Sequence, residues 1–126
     1  MKVKFAGIDC DVRFGQYSNG NTAIQLIGSE GTDYEGEAVA IASVNGGLKV
    51  EPAVVGIKTW SENAGIVQAL VEGGVIESEL LFTQPSGFVE IEYYRLTDEA
   101  FKQMLQDFEQ TVSYRLSICS TLQSRG

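Results

Sequence analysis

The chain has 126 residues, the length of a single domain, and 44% of them are hydrophobic, which is typical of a folded globular protein rather than a disordered one. Seventeen acidic and nine basic residues give a formal net charge of −8. This argues against direct binding to nucleic acid or to an anionic membrane, because both need clustered Lys and Arg. The absence of histidine excludes Ser-His-Asp and Cys-His nucleophiles and His-ligated zinc or haem.

Residues 1–60 have the alternation of polar and apolar side chains that is typical of β-strands. From Ile8 to Phe14, apolar residues alternate with charged ones, which predicts a strand with one face exposed to water. Asn19-Gly20 supplies the positive φ angles of a tight hairpin turn. We therefore predict an antiparallel meander with a polar, glycine-rich loop over 29–36 and strands over 2–5, 8–14, 22–28, 37–44 and 54–60.

The spacing of apolar residues after Trp60 predicts a short helix over 61–72. Ser61 is a good N-cap, Glu62 lies near the positive end of the helix dipole, and Gly73-Gly74 ends the helix. Two strands, over 75–82 and 87–94, are expected to follow and to form a hairpin. The residues Thr83–Ser86 are predicted to form its turn.

The clearest helix of the sequence is predicted over 98–119, with Thr97 as its N-cap. Its apolar stripe can cover the sheet, or it can pair with a second copy in a homodimer; the stripe comprises Phe101, Met104, Leu105, Phe108, Val112, Leu116 and Cys119. The predicted fold class is α+β. We expect a curved antiparallel sheet of about six or seven strands with both helices packed on one face, in a single domain over 1–126.

The sequence lacks the features of secreted and membrane proteins. The N-terminus has no continuous apolar run of a signal peptide, and no stretch approaches the ~18 apolar residues of a membrane helix. Cys10 and Cys119 are the only cysteines. We expect unpaired thiols in a reducing compartment, with a single long-range disulfide as the alternative. These features predict a cytoplasmic protein.

No pattern in the sequence indicates catalysis or a cofactor. Carboxylates recur two positions apart at Asp9 and Asp11, and the glutamates of the predicted hairpin do the same. A catalytic carboxylate also needs burial or a like-charge neighbour to raise its pKa, and nothing in the sequence indicates either. Glycine-rich phosphate-binding motifs are absent. We therefore predict a protein that is not an enzyme and that holds no metal or cofactor.

The distribution of charge is more informative than any motif. From Thr59 to Tyr94 there are six glutamates and no basic residue. One interpretation is a solvated acidic surface that keeps the protein soluble. The other is a docking surface for a protein with a basic groove that normally holds nucleic acid. In that second interpretation the partner-binding residues are Glu62, Glu72, Glu77, Glu79, Glu90 and Glu92.

Strand register separates these two interpretations. One register of the predicted hairpin places Glu79 opposite Glu90 and Glu77 opposite Glu92, so that all four carboxylates share a face. A slip of one residue instead places Leu80 opposite Glu90, and the two glutamate pairs then point to opposite faces. Like charges directly opposite each other weaken a sheet, which favours the second register unless a partner benefits from the first.

Several phrases of the sequence resemble a known family. They include Asn19-Gly20-x-x-Ala23, Trp60-Ser61-Glu62-Asn63-x-Gly65 and Gly87-Phe88-Val89-Glu90. Together they are similar to small uncharacterised proteins that phages and conjugative elements of bacteria encode, and the resemblance covers residues 7 to 90. The family members usually end soon after the last phrase, so the helical extension over 97–126 departs from them. The resemblance implies a setting, mobile DNA in a bacterial cytoplasm, and no catalytic residue.

Charge and setting together favour a non-enzymatic inhibitor of a host defence effector, of the anti-CRISPR or anti-restriction type, that occupies a basic nucleic-acid groove. Two alternatives stay open. One is a protein that sequesters a small ligand or signalling nucleotide, for which the cations would come from Arg13, Lys58, Arg95, Lys102 and Arg115. The other is a structural or assembly component of a phage particle that oligomerises through the C-terminal helix.

Overall fold

The alternating residues near the N-terminus form the first of two antiparallel sheets. In a computed structural model that describes residues 1–108, its strands are β1 (Lys2–Phe5), β2 (Ile8–Gln16), β3 (Thr22–Gly28) and β4 (Ala38–Ile41), in that order across the sheet. The predicted alternation is confirmed in β2, where Cys10, Val12 and Phe14 are buried and Asp9 and Arg13 are exposed. One face of this sheet therefore faces the core and the other faces water.

The second sheet contains β5 (Val54–Ile57), β6 (Ile76–Ser86) and β7 (Val89–Leu96), with β7 in the middle. A single bridge, between Ser43 and Ile57, joins it to the first sheet. The α+β class and the seven antiparallel strands are confirmed. They form two sheets rather than one curved sheet, because Ser43 and Ile57 pair as an isolated bridge and no continuous ladder connects the two sheets in residues 1–108.

The helix expected over 61–72 is interrupted. A 3₁₀ helix (Ser61–Asn63) comes first, and α1 (Ile66–Glu72) begins only after Gly65. Ser61 has a φ of 57° and makes no capping hydrogen bond, so the predicted N-cap at this residue is wrong. Gly65 has a φ of 84°, in the left-handed region that glycine adopts without strain, and it reverses the chain into α1.

A second helix, α2, begins at residue 98 and continues to residue 108, the last that the structure describes. The predicted N-cap is confirmed, because the backbone N–H of Ala100 donates to Oγ1 of Thr97 at 3.1 Å. Ala100 and Met104 of this helix are buried. The rest of the helix predicted over 98–119, with Val112, Leu116 and Cys119 of its apolar stripe, lies outside the described residues.

One hydrophobic cluster unites both sheets and both helices. It includes Phe14 and Leu26 from the first sheet, Ile57 from the second, Leu70 from α1 and Met104 from α2. Burial of each large side chain stabilises the fold by ~1.5–3 kcal/mol. A smaller cluster lies on the opposite face of the second sheet; it comprises Val54, Ile91 and Tyr93, with Val44, Val50 and Trp60 packed against them. The middle strand β7 therefore buries both of its faces.

The loop between β3 and β4 returns closely along β3, and this generates a first prediction. A Cβ at Gly28 would lie 1.9 Å from the carbonyl oxygen of Tyr34. We expect Gly28→Ala to lower the free energy of unfolding by about 3 kcal/mol, the upper part of the range for overpacked sites. The matched control is Gly15→Ala on β2, where the nearest atom would be the Cβ of Ala23 at 3.9 Å, an ordinary contact. Urea denaturation measures both variants, and equal losses of stability would contradict the prediction.

Candidate functional site

The hairpin of β6 and β7 is longer than the sequence predicts, and its turn lies elsewhere. The expected turn at Thr83–Ser86 is wrong: β6 continues through these residues, and Gly87-Phe88 forms a two-residue turn in which Gly87 has a φ of 62°. Pro85, which suggests a turn in the sequence, lies in β6. Because β6 is an edge strand, a residue without an N–H is tolerated in it.

Neither of the two predicted registers is present. Glu90 lies opposite Pro85, and Glu92 lies opposite Thr83. Glu77 and Glu79 fall in an irregular stretch between Ile76 and Leu80, where the ladder shifts. No carboxylate of this hairpin therefore faces another across the ladder. The turn at Gly87-Phe88 sets the register around Glu90 and Glu92, and the bulges between Ile76 and Phe82 shift it further along β6.

The outer strand of the hairpin combines exposed carboxylates with exposed apolar side chains. Glu77 and Glu79 are exposed, and 46% of Leu80 and 37% of Leu81 is accessible to water. Glu90 is also exposed on β7. We call Glu77, Glu79, Leu80, Leu81 and Glu90 the acidic edge. The sequence did not reveal its apolar half, because two leucines in a strand are typical of a core and only the sheet order shows that β6 is outermost.

The carboxylates of the acidic edge have no partner within residues 1–108, whereas the other three predicted partner-binding residues do. Oε1 of Glu62 accepts a hydrogen bond from Nζ of Lys58 at 2.7 Å, and this bond lowers the pKa of Glu62. Glu72 accepts one from Nε2 of Gln68 at 2.9 Å. Glu92 is half-buried and accepts a hydrogen bond from the hydroxyl of Tyr94. Of the six predicted residues, Glu77, Glu79 and Glu90 are therefore the ones that make no such contact within residues 1–108.

Tyr93 fixes the middle of the hairpin to the segment before β5. Its hydroxyl donates to Oε1 of Gln84 at 2.5 Å, and Nε2 of Gln84 donates to the carbonyl oxygen of Gly46 at 3.1 Å. The ring of Phe82 stacks on that of Tyr93, with centroids 4.4 Å apart. A surface held in this way loses little conformational entropy when it binds.

A second acidic surface lies on the loop between β3 and β4. Glu30, Asp33, Glu35 and Glu37 are exposed there, and so is Tyr34. Backbone hydrogen bonds hold the loop to the end of β3, since Gly28 donates to Glu37 and Gly36 donates to Gly28. This loop matches the acidic edge in charge but lies on the other sheet, which makes it a useful control surface.

The described residues offer little for acid–base or metal chemistry. Within residues 1–108, no group of three or more Cys, Asp or Glu side chains is placed to hold a metal ion. The hydrogen bond from Lys2 lowers the pKa of Asp11, the opposite of what a general acid needs. Burial raises the pKa of the Cys10 thiol, which makes it a poor nucleophile. In the same part of the chain, no helix is both long and apolar enough to span a bilayer.

The most specific phrase of the family resemblance has a structural role in this fold. Trp60 packs at the smaller cluster, and Ser61 and Gly65 make the two reversals between β5 and α1. Asn63 is buried, and its Nδ2 donates to the carbonyl oxygen of Ile41 at 2.8 Å. The phrase therefore forms a corner that joins the second sheet to α1 and to the first sheet.

Comparison of the chain with protein-family models, with curated proteins and with solved structures gives no match. The resemblance to proteins of phages and conjugative elements stays a prediction.

A second prediction concerns Tyr94, which is buried beside Glu92. Burial, followed by the hydrogen bond to Glu92, raises the pKa of Tyr94 from 10.0 to about 12. Between pH 10 and about 12, the hydroxyl of Tyr94 loses its proton in the unfolded chain and keeps it in the folded chain. The contribution of Tyr94 to the free energy of unfolding is therefore fully present below pH 10 and is lost as the pH rises to about 12. In urea unfolding across this range, Tyr94→Phe should show a smaller fall than the wild type.

Part of the loss of stability with rising pH should remain in Tyr94→Phe, because burial also raises the pKa of Tyr93. The control is Tyr34→Phe, which removes a hydroxyl from a tyrosine that is 48% exposed rather than buried. A Tyr94→Phe variant whose stability falls as steeply as that of the wild type would contradict the prediction.

Proposed function

We propose that this chain is a non-enzymatic binding protein that presents the acidic edge to a basic surface of another protein. The observation that supports this most is the combination of free carboxylates, Glu77, Glu79 and Glu90, with the exposed Leu80 and Leu81 on an outermost strand. Protein interfaces combine apolar contact with complementary charge in this way. A surface that served only solubility would need the carboxylates but not the leucines.

The partner we propose is a bacterial host protein with a groove that normally binds nucleic acid. Carboxylates spaced along a strand can compete with phosphates for Lys and Arg in such a groove. The setting that the family resemblance implies, mobile DNA in a bacterial cytoplasm, favours a defence effector as that host protein. The proposed activity is therefore inhibition of the anti-CRISPR or anti-restriction type, by occupation of the groove.

The two alternative functions have less support. Sequestration of a nucleotide needs convergent cations. Of those the sequence suggests, Lys58 binds Glu62 at 2.7 Å and Arg95 binds Glu51 at 2.9 Å, so their charges are already compensated. Assembly through the C-terminal helix would use the predicted apolar stripe, and Val112, Leu116 and Cys119 of that stripe lie outside the described residues.

A third prediction tests the docking surface. Glu77→Gln/Glu79→Gln removes two carboxylates from the acidic edge, and Asp33→Asn/Glu35→Gln removes two from the control loop. Both double variants and the wild type are immobilised and exposed to a bacterial lysate at about 50 mM and about 500 mM salt, which spans weak to strong screening. We expect the wild type and the loop variant to retain the same nucleic-acid-binding protein at low salt. The edge variant should retain it about tenfold more weakly.

Inhibition is the decisive readout. The retained protein is purified, and its binding to nucleic acid is measured as the wild type or the edge variant is added. The proposal requires that the wild type displaces the nucleic acid and that the edge variant does so about tenfold less effectively. Equal loss of capture in both double variants would indicate a response to net charge alone. Capture that survives high salt and the loss of Glu77 and Glu79 would show that the acidic edge is not the docking surface.

A further inference from the structure

Phe88 at the tip of the hairpin is fully exposed to water. The two-residue turn requires a positive φ at Gly87, which is 62°, but it makes no demand for an aromatic ring at the next position. Turn positions usually hold polar residues or glycine. The ring of Phe88 therefore contributes no burial to this fold, and it is available for burial in a contact with another molecule.

A groove with matching chemistry lies on the water-facing side of the first sheet. Gly15 and Ala23 lie opposite each other in the pairing of β2 with β3, and their small side chains leave a depression. Its volume is about 230 Å³, and it is lined mainly by Arg13, Gly15, Tyr17, Ala23, Gln25 and Ile41. A cavity of roughly 150 Å³ admits benzene, so the groove is large enough for a phenyl ring.

Arg13 at this groove is a cation that has no partner among residues 1–108. Within residues 1–108, its guanidinium forms no ion pair or hydrogen bond, whereas Lys2, Lys58 and Arg95 each contact a carboxylate. Its neighbour on the same face, Asp11, already accepts a hydrogen bond from Lys2 at 2.6 Å. Next to it, 56% of Ile41 is exposed. The groove thus combines an apolar wall with a free positive charge.

The tip of the hairpin is complementary both to the apolar wall of this groove and to its positive charge. Phe88 supplies an aromatic ring, and Glu90, two residues further along β7, supplies an exposed carboxylate without a partner in the described part of the chain. A guanidinium binds a carboxylate through paired hydrogen bonds and also binds the face of an aromatic ring. Because Phe88 is fully exposed, it does not occupy the groove of its own molecule.

We propose that the occupant of this groove is a second copy of the chain, whose Phe88 inserts into it while its Glu90 pairs with Arg13. The inference goes beyond the proposed function: it uses Glu90 of the acidic edge but not Glu77 or Glu79, which stay available to the proposed host protein. When two molecules exchange tips about a twofold axis, both grooves are filled and the assembly closes as a dimer. The hairpin is suited to this contact, because Gln84 and Tyr93 already hold it in place.

Sedimentation velocity of the full chain over a range of concentrations tests the proposal. The wild type should self-associate, and Phe88→Ala and Arg13→Gln should each weaken the association at least tenfold. Leu48→Ala and Lys49→Gln are matched controls, since they remove an exposed apolar side chain and an exposed cation elsewhere on the surface. Both controls should associate like the wild type, as should the Glu77→Gln/Glu79→Gln variant.

A mixture of the two test variants is the most specific measurement. Phe88→Ala keeps an intact groove and Arg13→Gln keeps an intact tip, so an equimolar mixture should associate more strongly than either variant alone. A wild type that is monomeric at all concentrations would overturn the proposal. Association that survives in both variants, or a mixture that shows no gain, would also overturn it. None of these results bears on Glu77 and Glu79, the two residues of the acidic edge that the lysate capture tests separately.

Discussion

Burial of both faces of β7 is the constraint on which the second sheet depends. Tyr94 and Leu96 face the main cluster, and Ile91 and Tyr93 face the smaller one. A strand covered on both faces needs partners on both edges for its backbone groups, and β5 and β6 fill these places. Because β5 bridges to the first sheet, β6 is left as the outermost strand. The exposure of Leu80 and Leu81 follows from that position.

An edge strand of this length would invite pairing with other strands, and β6 has several features that oppose it. Its ladder is irregular between Ile76 and Phe82, Pro85 lacks an N–H, and Glu77 and Glu79 add like charges. Bulges, proline and charge are the usual means by which natural sheets protect their edges. The backbone of β6 is therefore poorly suited to strand addition, so the docking proposed at this edge depends on side chains.

The sequence determines the elements of this fold better than their junctions. Alternation located the strands of the first sheet, and Thr97 located the start of α2, because both signals depend on neighbouring residues only. The register of the hairpin depends on the position of its turn at Gly87-Phe88 and on bulges further along β6, and alternation reveals neither. The N-cap predicted at Ser61 and the turn predicted around Pro85 are wrong for the same reason: each residue has a strong local preference that tertiary packing overrides. The groove beside Arg13 requires knowledge of which strands are adjacent, and no short pattern encodes that.

The distribution of partners among the charged residues gives this small acidic chain two unlike surfaces. Lys2, Lys58 and Arg95 each contact a carboxylate, whereas Glu77, Glu79 and Glu90 of the acidic edge have no such contact within residues 1–108. On the first sheet the opposite holds at Arg13, where the nearby carboxylate of Asp11 is already engaged. Among residues 1–108, pairing thus leaves the carboxylates of Glu77 and Glu79 on β6 and the guanidinium of Arg13 on β2 without an ion-pair partner, although the net charge is −8. The two proposals therefore use different sheets: docking to a basic partner uses the second sheet, and the groove that would receive the tip of a second copy lies on the first.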